Sequence, residues 1–144
     1  MNRTCASCGA QNRIPARHLA NAGKCGACKA ALPPQSEPLD VDVATFDDIV
    51  ANARVPVLVD FWAAWCGPCR TAAPEVKKAA AALAGRAVVL KVDTESHPEV
   101  AQRFGVQGIP NFVVLRNGKV VSQQAGVVPS AQMVKWIDSA AASA

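Results

Sequence analysis

Six cysteines stand in three Cys-x-x-Cys pairs: Cys5 with Cys8 in CASC, Cys25 with Cys28 in CGAC, and Cys66 with Cys69 in WCGPC. No other feature constrains this chain as much. Two thiols at that spacing serve either as half of a metal site or as a dithiol that trades electrons, and the spacing is the same for both. The surroundings of each pair have to decide.

The first two pairs lie within thirty residues of each other, with sixteen residues between Cys8 and Cys25. Two short knuckles at that separation match a four-thiolate zinc site. The segment offers only Ile14, Leu19 and Leu32 as larger aliphatic residues. Core burial cannot stabilise it alone, so metal must supply most of its folding free energy. One structural zinc is therefore expected at Cys5, Cys8, Cys25 and Cys28, with iron the alternative metal. Glycines 9 and 26 suit the tight backbone around the sulfurs. Residues 1–32 carry five basic residues and no acid, whereas the remainder has ten basic and eleven acidic residues. The basic module does not read as a nucleic-acid binder. Four thiolates with one zinc ion lower its charge, and no aromatic residue precedes Phe46 to stack on a base.

The prolines of LPPQSEPLD set a boundary. We expect a zinc-binding module over 1–32, a proline-rich linker over 33–38 and a second domain over 39–144. In that second part, LDVDV alternates like a strand and a helix is expected from Thr45, with Asp48 three residues on. VPVLVDFW and AVVLKVD are apolar enough to be strands covered on both faces, joined through a helix over about 68–83 that Pro74 should kink. Such a βαβ unit is parallel and right-handed. A short helix over HPEVAQRFG follows, then a hairpin turning at Asn117-Gly118 and a last helix, whose alanine-rich end is expected to fray. The expected class is α/β, a mixed central sheet with helices on both faces.

Cys66 follows a buried strand and opens a helix. Its sulfur then sits at the positive end of the helix dipole, a placement that favours the thiolate needed to attack a disulfide. Cys69, one turn on, is spaced to resolve the mixed disulfide, and Gly67 and Pro68 suit the first turn. Asp60 and Lys91 interrupt the two apolar strands. A carboxyl at position 60 should be desolvated and its pKa raised, which fits a proton acceptor for Cys69.

VDFWAAWCGPCR, KVD and GIPNF resemble the thioredoxin family over residues 39–142. The resemblance implies a thioredoxin fold, a nucleophile at Cys66, a resolving thiol at Cys69, a buried acid at Asp60 with Lys91 close by, and a redox-active Cys66–Cys69 disulfide. It implies that Pro110 matches a cis-proline opposite the disulfide, and that Trp65, Gly67, Pro68, Ile109 and Gly126 complete the docking surface. Asn111 departs from the threonine common after that proline. Gly-Pro between the cysteines resembles reductases of the family, and a zinc ribbon ahead of such a domain resembles the thioredoxin 2 type. The implied activity is protein-disulfide reduction, with disulfide-containing client proteins and an NADPH-dependent thioredoxin reductase as partners. With no apolar leader and no membrane-length run, we expect a soluble, cytoplasmic protein. A monomer is expected separately. Two competing readings make the chain a zinc-dependent binding or chaperone module, or a redox sensor, with an accessory thioredoxin domain.

Overall fold

The computed structural model describes residues 1–142; the expectation that the alanine-rich terminus frays concerns in part Ser143 and Ala144, outside the described residues. The N-terminal segment forms two small antiparallel hairpins. In the first, β1 (Asn2–Thr4) pairs with β2 (Gln11–Arg13), and in the second, β3 (Gly23–Lys24) pairs with β4 (Ala31–Leu32). A 3-10 turn, Ala16–His18, joins them. Each hairpin bends through one cysteine pair. The residue after the second cysteine takes positive φ in both knuckles, Gly9 at 76° and Lys29 at 65°. Of the two glycines expected to suit the tight backbone around the sulfurs, Gly9 takes the left-handed position of the first knuckle; that of the second falls on Lys29, not on Gly26.

The rest of the chain builds a five-stranded sheet in the order β5-β7-β6-β8-β9. β5 (Leu39–Asp40), β6 (Val57–Trp62) and β7 (Val88–Asp93) run parallel, while β8 (Asn111–Arg116) and β9 (Lys119–Ala125) complete the sheet antiparallel. The β8–β9 turn has positive φ at both Asn117 and Gly118, as a type I′ hairpin requires. β5 is shorter than the alternation of LDVDV suggested. Asp42 leaves the strand to cap α1 (Val43–Asn52), its Oδ1 accepting from Thr45 N–H at 2.8 Å. The helix therefore begins before Thr45, because a carboxylate at the N-cap satisfies an orphan donor directly. α2 (Gly67–Ala82) stays one element across Pro74, which removes the donor that would meet the Arg70 carbonyl. α3 (Pro98–Arg103) and α4 (Ser130–Ala142) complete the layers.

β6 lies at the centre, and its alternate residues feed two cores. Val57, Val59 and Phe61 point to one face with Phe46 and Ile49 of α1 and Val100 of α3. Leu58 points to the other, among Ala72, Val76 and Ala79 of α2 and Met133 and Ile137 of α4. The N-terminal module joins the first core. Ala16 and Leu19 are buried in it, and Met1, Ile14 and Ala20 pack against its rim. Backbone polar groups are satisfied there as well: Arg3 Nη2 and Gln35 N–H both donate to the Leu19 carbonyl, at 3.0 and 2.9 Å. The N-terminal hairpins are thus docked on the sheet domain and not free of it.

Candidate active site and metal centre

Cys66 is the N-cap of α2. It follows β6 across a tight turn over 63–65, is itself extended, and its Sγ accepts the backbone N–H of Cys69 at 3.1 Å. One orphan donor of the first helical turn is thus spent on the sulfur, beside the positive end of the helix dipole. Cys66 and Cys69 are joined as a disulfide with Cα atoms 5.2 Å apart, and both are buried. The Ile109 carbonyl oxygen lies 3.6 Å from Cys66 Sγ. The Ile109-Pro110 peptide bond is cis.

The residues expected to receive a partner divide by exposure. Trp65 is 66 % exposed, and its indole Nε1 donates to Glu95 Oε1 at 2.7 Å, which fixes the ring's direction. Gly67, Pro68 and Gly126 are exposed and Ile109 is half-buried. Pro110 is buried, and its carbonyl already accepts Gly126 N–H at 2.8 Å. That bond ties the start of β8 to the end of β9. Asn111, next along, is buried and accepts from Gln123 Nε2 at 3.1 Å.

Behind the disulfide, Asp60 is 2 % exposed and its Oδ1 has no hydrogen-bond partner. Register puts it between Lys91 of β7 and Phe112 of β8. Desolvation pushes its pKa from 3.8 up to about 7; the positive charge of Lys91 opposes that rise and Asp40 adds to it. Lys91 is neither fully buried nor fully in water. Its Nζ stands 4.6 Å from the centroid of the Trp62 ring, a cation–π geometry. Asp60, Cys69 and Lys91 share a cavity of about 90 Å³ with Trp62, Arg70 and Ala73. The carboxyl and the second sulfur thus open onto one small space. Arg70 has no signal in the sequence, where an arginine after the cysteine pair reads as surface charge; here its Nη1 donates to the Ala64 carbonyl at 2.8 Å.

The four remaining cysteines converge. Their Sγ atoms all lie within 4.8 Å of one another, with Cys5 and Cys28 at 3.6 Å and Cys8 and Cys25 at 3.7 Å. A tetrahedral zinc site with Zn–S bonds of about 2.3 Å sets sulfurs about 3.8 Å apart. The donor set therefore fits a zinc ion in both chemistry and spacing. Crowding four thiols also sets them against one another. Cys25 is drawn down to about 6 by the Cys28 backbone N–H and then by Asn12. Cys8 is driven up to about 12: the Ala10 N–H lowers it, but the Cys28, Cys25 and Cys5 sulfurs and burial prevail. A divalent cation removes that conflict by making thiolate the favoured state of all four. His18 stands apart, its Nδ1 3.3 Å from Asn21 Oδ1, and His97 precedes α3 as its N-cap.

A family model described as Thioredoxin matches residues 37–139. The chain belongs to the thioredoxin family. A second model, Thioredoxin 2, N-terminal, a zinc ribbon, matches residues 4–30 and takes in all four converging cysteines. Thioredoxin C-3 of Corynebacterium nephridii is 37% identical over 134 residues, covering 93% of this chain and 91% of that one, so the likeness reaches into the N-terminal module. Thioredoxin 1 of Chlorobaculum tepidum is 44% identical over 89 residues, 62% of this chain and 88% of its own. Among solved structures, a mutant thioredoxin from Halobacterium salinarum NRC-1 superposes with a TM-score of 0.68 at 32% identity, over 74% of this chain and 93% of that one. Membership and the paired thiols make this thioredoxin a thiol-disulfide oxidoreductase. No helix among the described residues is long and apolar enough to cross a membrane.

Proposed function

We propose that this thioredoxin reduces disulfides of client proteins in a cytoplasmic setting and is returned to the dithiol by an NADPH-dependent thioredoxin reductase. In the reduced state the Cys66 thiolate attacks one sulfur of the client disulfide. A Cys66–client bond forms as the client S–S bond breaks, and the displaced client sulfur leaves as a thiolate that takes up a proton. Cys69 then gives its proton to Asp60 and attacks Cys66 Sγ. The Cys66–Cys69 bond forms, the second client sulfur leaves as a thiolate, and two electrons have passed to the client. Lys91 moderates the Asp60 carboxyl from across the parallel register. Trp65, Gly67, Pro68, Ile109, Pro110 and Gly126 form the docking surface, with the Ile109 backbone facing the extended client segment.

The observation that carries this reading is the cavity shared by Asp60 and Cys69. It supplies a carboxyl with a pKa of about 7 on the side of the second thiol, where a base with a pKa near ambient pH is most effective. For the N-terminal module we propose one zinc ion held by Cys5, Cys8, Cys25 and Cys28 as a structural site, and the boundaries 1–32, 33–38 and 39–144 for module, linker and thioredoxin domain. NADPH-coupled insulin disulfide reduction with a thioredoxin reductase tests the activity. Turnover is expected, and is expected to vanish in Cys66→Ser. A Cys66→Ser variant as active as the parent would overturn the assignment.

A further inference from the structure

The two knuckles of the N-terminal module are pseudo-repeats, twenty residues apart: Cys5 and Cys8 correspond to Cys25 and Cys28, and Asn12 of β2 corresponds to Leu32 of β4. Leu32 is buried against Cys5 and Cys25. Asn12 departs from that apolar pattern and is half-buried instead. Its amide is engaged both on the opposite knuckle and on its own. Oδ1 accepts the backbone N–H of Gly26 at 2.9 Å, and Nδ2 lies 3.5 Å from Cys25 Sγ and 3.3 Å from the Ala10 carbonyl oxygen. One side chain thus fastens the second Cys-x-x-Cys turn to the first hairpin. The sulfur it meets belongs to a fully buried residue, out of reach of water as an alternative donor.

This geometry does two things for a metal. An N–H pointing at a buried thiolate stabilises the charge that ligation leaves on sulfur. The bond to Gly26 N–H fixes the backbone immediately after Cys25, which sets where Sγ sits relative to the other three. Outer partners of this kind orient ligands, and their loss typically costs 10–100-fold in metal affinity. We propose that Asn12 is a positioning residue of the metal centre, clasping the second knuckle so that Cys25 is held in ligating geometry. The inference rests on the zinc reading of the four cysteines.

The test is zinc competition against a chromophoric chelator on the full chain, with cobalt substitution as a second readout. Asn12→Ala removes all three contacts of the amide, those to Gly26 N–H, Cys25 Sγ and the Ala10 carbonyl. Asn12→Asp keeps an acceptor for Gly26 N–H, removes the donor and sets a carboxylate beside the thiolate, so it stands in if the alanine variant fails to fold. Both variants are expected to hold zinc at least about tenfold more weakly, and the thiolate-to-cobalt charge-transfer band is expected to shift. Affinity within about twofold of the parent would overturn the proposal, being well short of the loss such a partner carries. So would weakened binding with an unchanged cobalt spectrum, because a loosened module would lower affinity without altering one ligand. A parent chain that takes up neither metal would instead remove the zinc reading itself, and this one with it.

Discussion

Asp60 makes a demand on stability that can be worked out from its surroundings. Its folded pKa of about 7 lies above the ordinary 3.8. In the unfolded chain the carboxyl ionises from about pH 4 upward, whereas in the folded chain it keeps its proton until about pH 7. Between those limits the folded state binds one proton more, so stability falls as pH rises through the window and stays low above it. At about 1.36 kcal/mol per pKa unit, the full cost at pH 8 is about 4 kcal/mol, of which about 3 kcal/mol accumulates between pH 5 and pH 8. Asp60→Asn keeps the shape and removes the charge. Comparing urea unfolding of the oxidised parent and variant at each pH cancels contributions from titrating groups that Asp60 does not touch, leaving its own and those coupled to it through Lys91 and Asp40. The variant is expected to gain about 3 kcal/mol relative to the parent on going from pH 5 to pH 8. A difference that stays flat across that range would refute the reasoning, since it would mean that Asp60 is solvated enough to ionise normally. The same variant is expected to slow resolution by Cys69 more than the initial attack by Cys66, and equal slowing of both steps would exclude Asp60 as the proton acceptor.

Other residues give independent checks. Lys91→Met retains volume but deletes the charge that holds Asp60 down, so the pH midpoint of the resolving step should move alkaline; a shift to lower pH would contradict the register pairing as a source of that field. Leu19→Ala should cost about 2–5 kcal/mol of the unfolding free energy of the thioredoxin core, because Leu19 is buried in the same cluster as Phe46 and Ile49. Urea unfolding followed by a core probe checks this, and no change would mean that the module is merely tethered. Lys29→Gly should stabilise the zinc-loaded chain by about 1 kcal/mol in thermal or urea unfolding, since only the lysine has a Cβ that objects to φ of 65°; a loss of stability would show that the Lys29 ammonium contact to the Gly26 carbonyl matters more.

The parallel unit and the hairpin were legible in the sequence because their signals are local. β-branched runs name β6 and β7, and Asn117-Gly118 names its own turn. The three pairs of cysteines were equally plain. The docking of the module was not. Leu19, Ala16 and Met1 are scattered among charged and polar neighbours, and only the tertiary fold collects them onto α1. Nor could the sequence show that Asp42 would abandon the strand. Alternation and capping compete for that residue, and the capping bond to Thr45 N–H wins. Arg70 and Asn12 are hidden in the sequence for a shared reason: the groups they meet are backbone atoms or sulfurs outside their own local pattern, and residue type alone carries no trace of such a partner.

One spacing therefore leads to two chemistries because the elements around it differ. In the N-terminal module each pair closes a tight hairpin, where the cysteine carbonyls accept from the residues just beyond, Gly9 N–H to Cys5 O and Lys29 N–H to Cys25 O at 2.8 and 2.9 Å. Such turns aim both sulfurs of a pair the same way, and two of them facing each other make four donors around one point. At Cys66 the chain runs from a strand into a helix. The helix supplies N–H groups and a dipole to a single sulfur, and it sets the second sulfur one turn further in, beside a buried carboxyl. No second thiol pair faces this one among the described residues; the neighbouring groups are the Ile109 carbonyl and the Asp60 cavity. The first arrangement suits four thiolates neutralised by one metal ion, and the second suits the proposed exchange, in which one thiolate attacks and Asp60 serves its partner as a base.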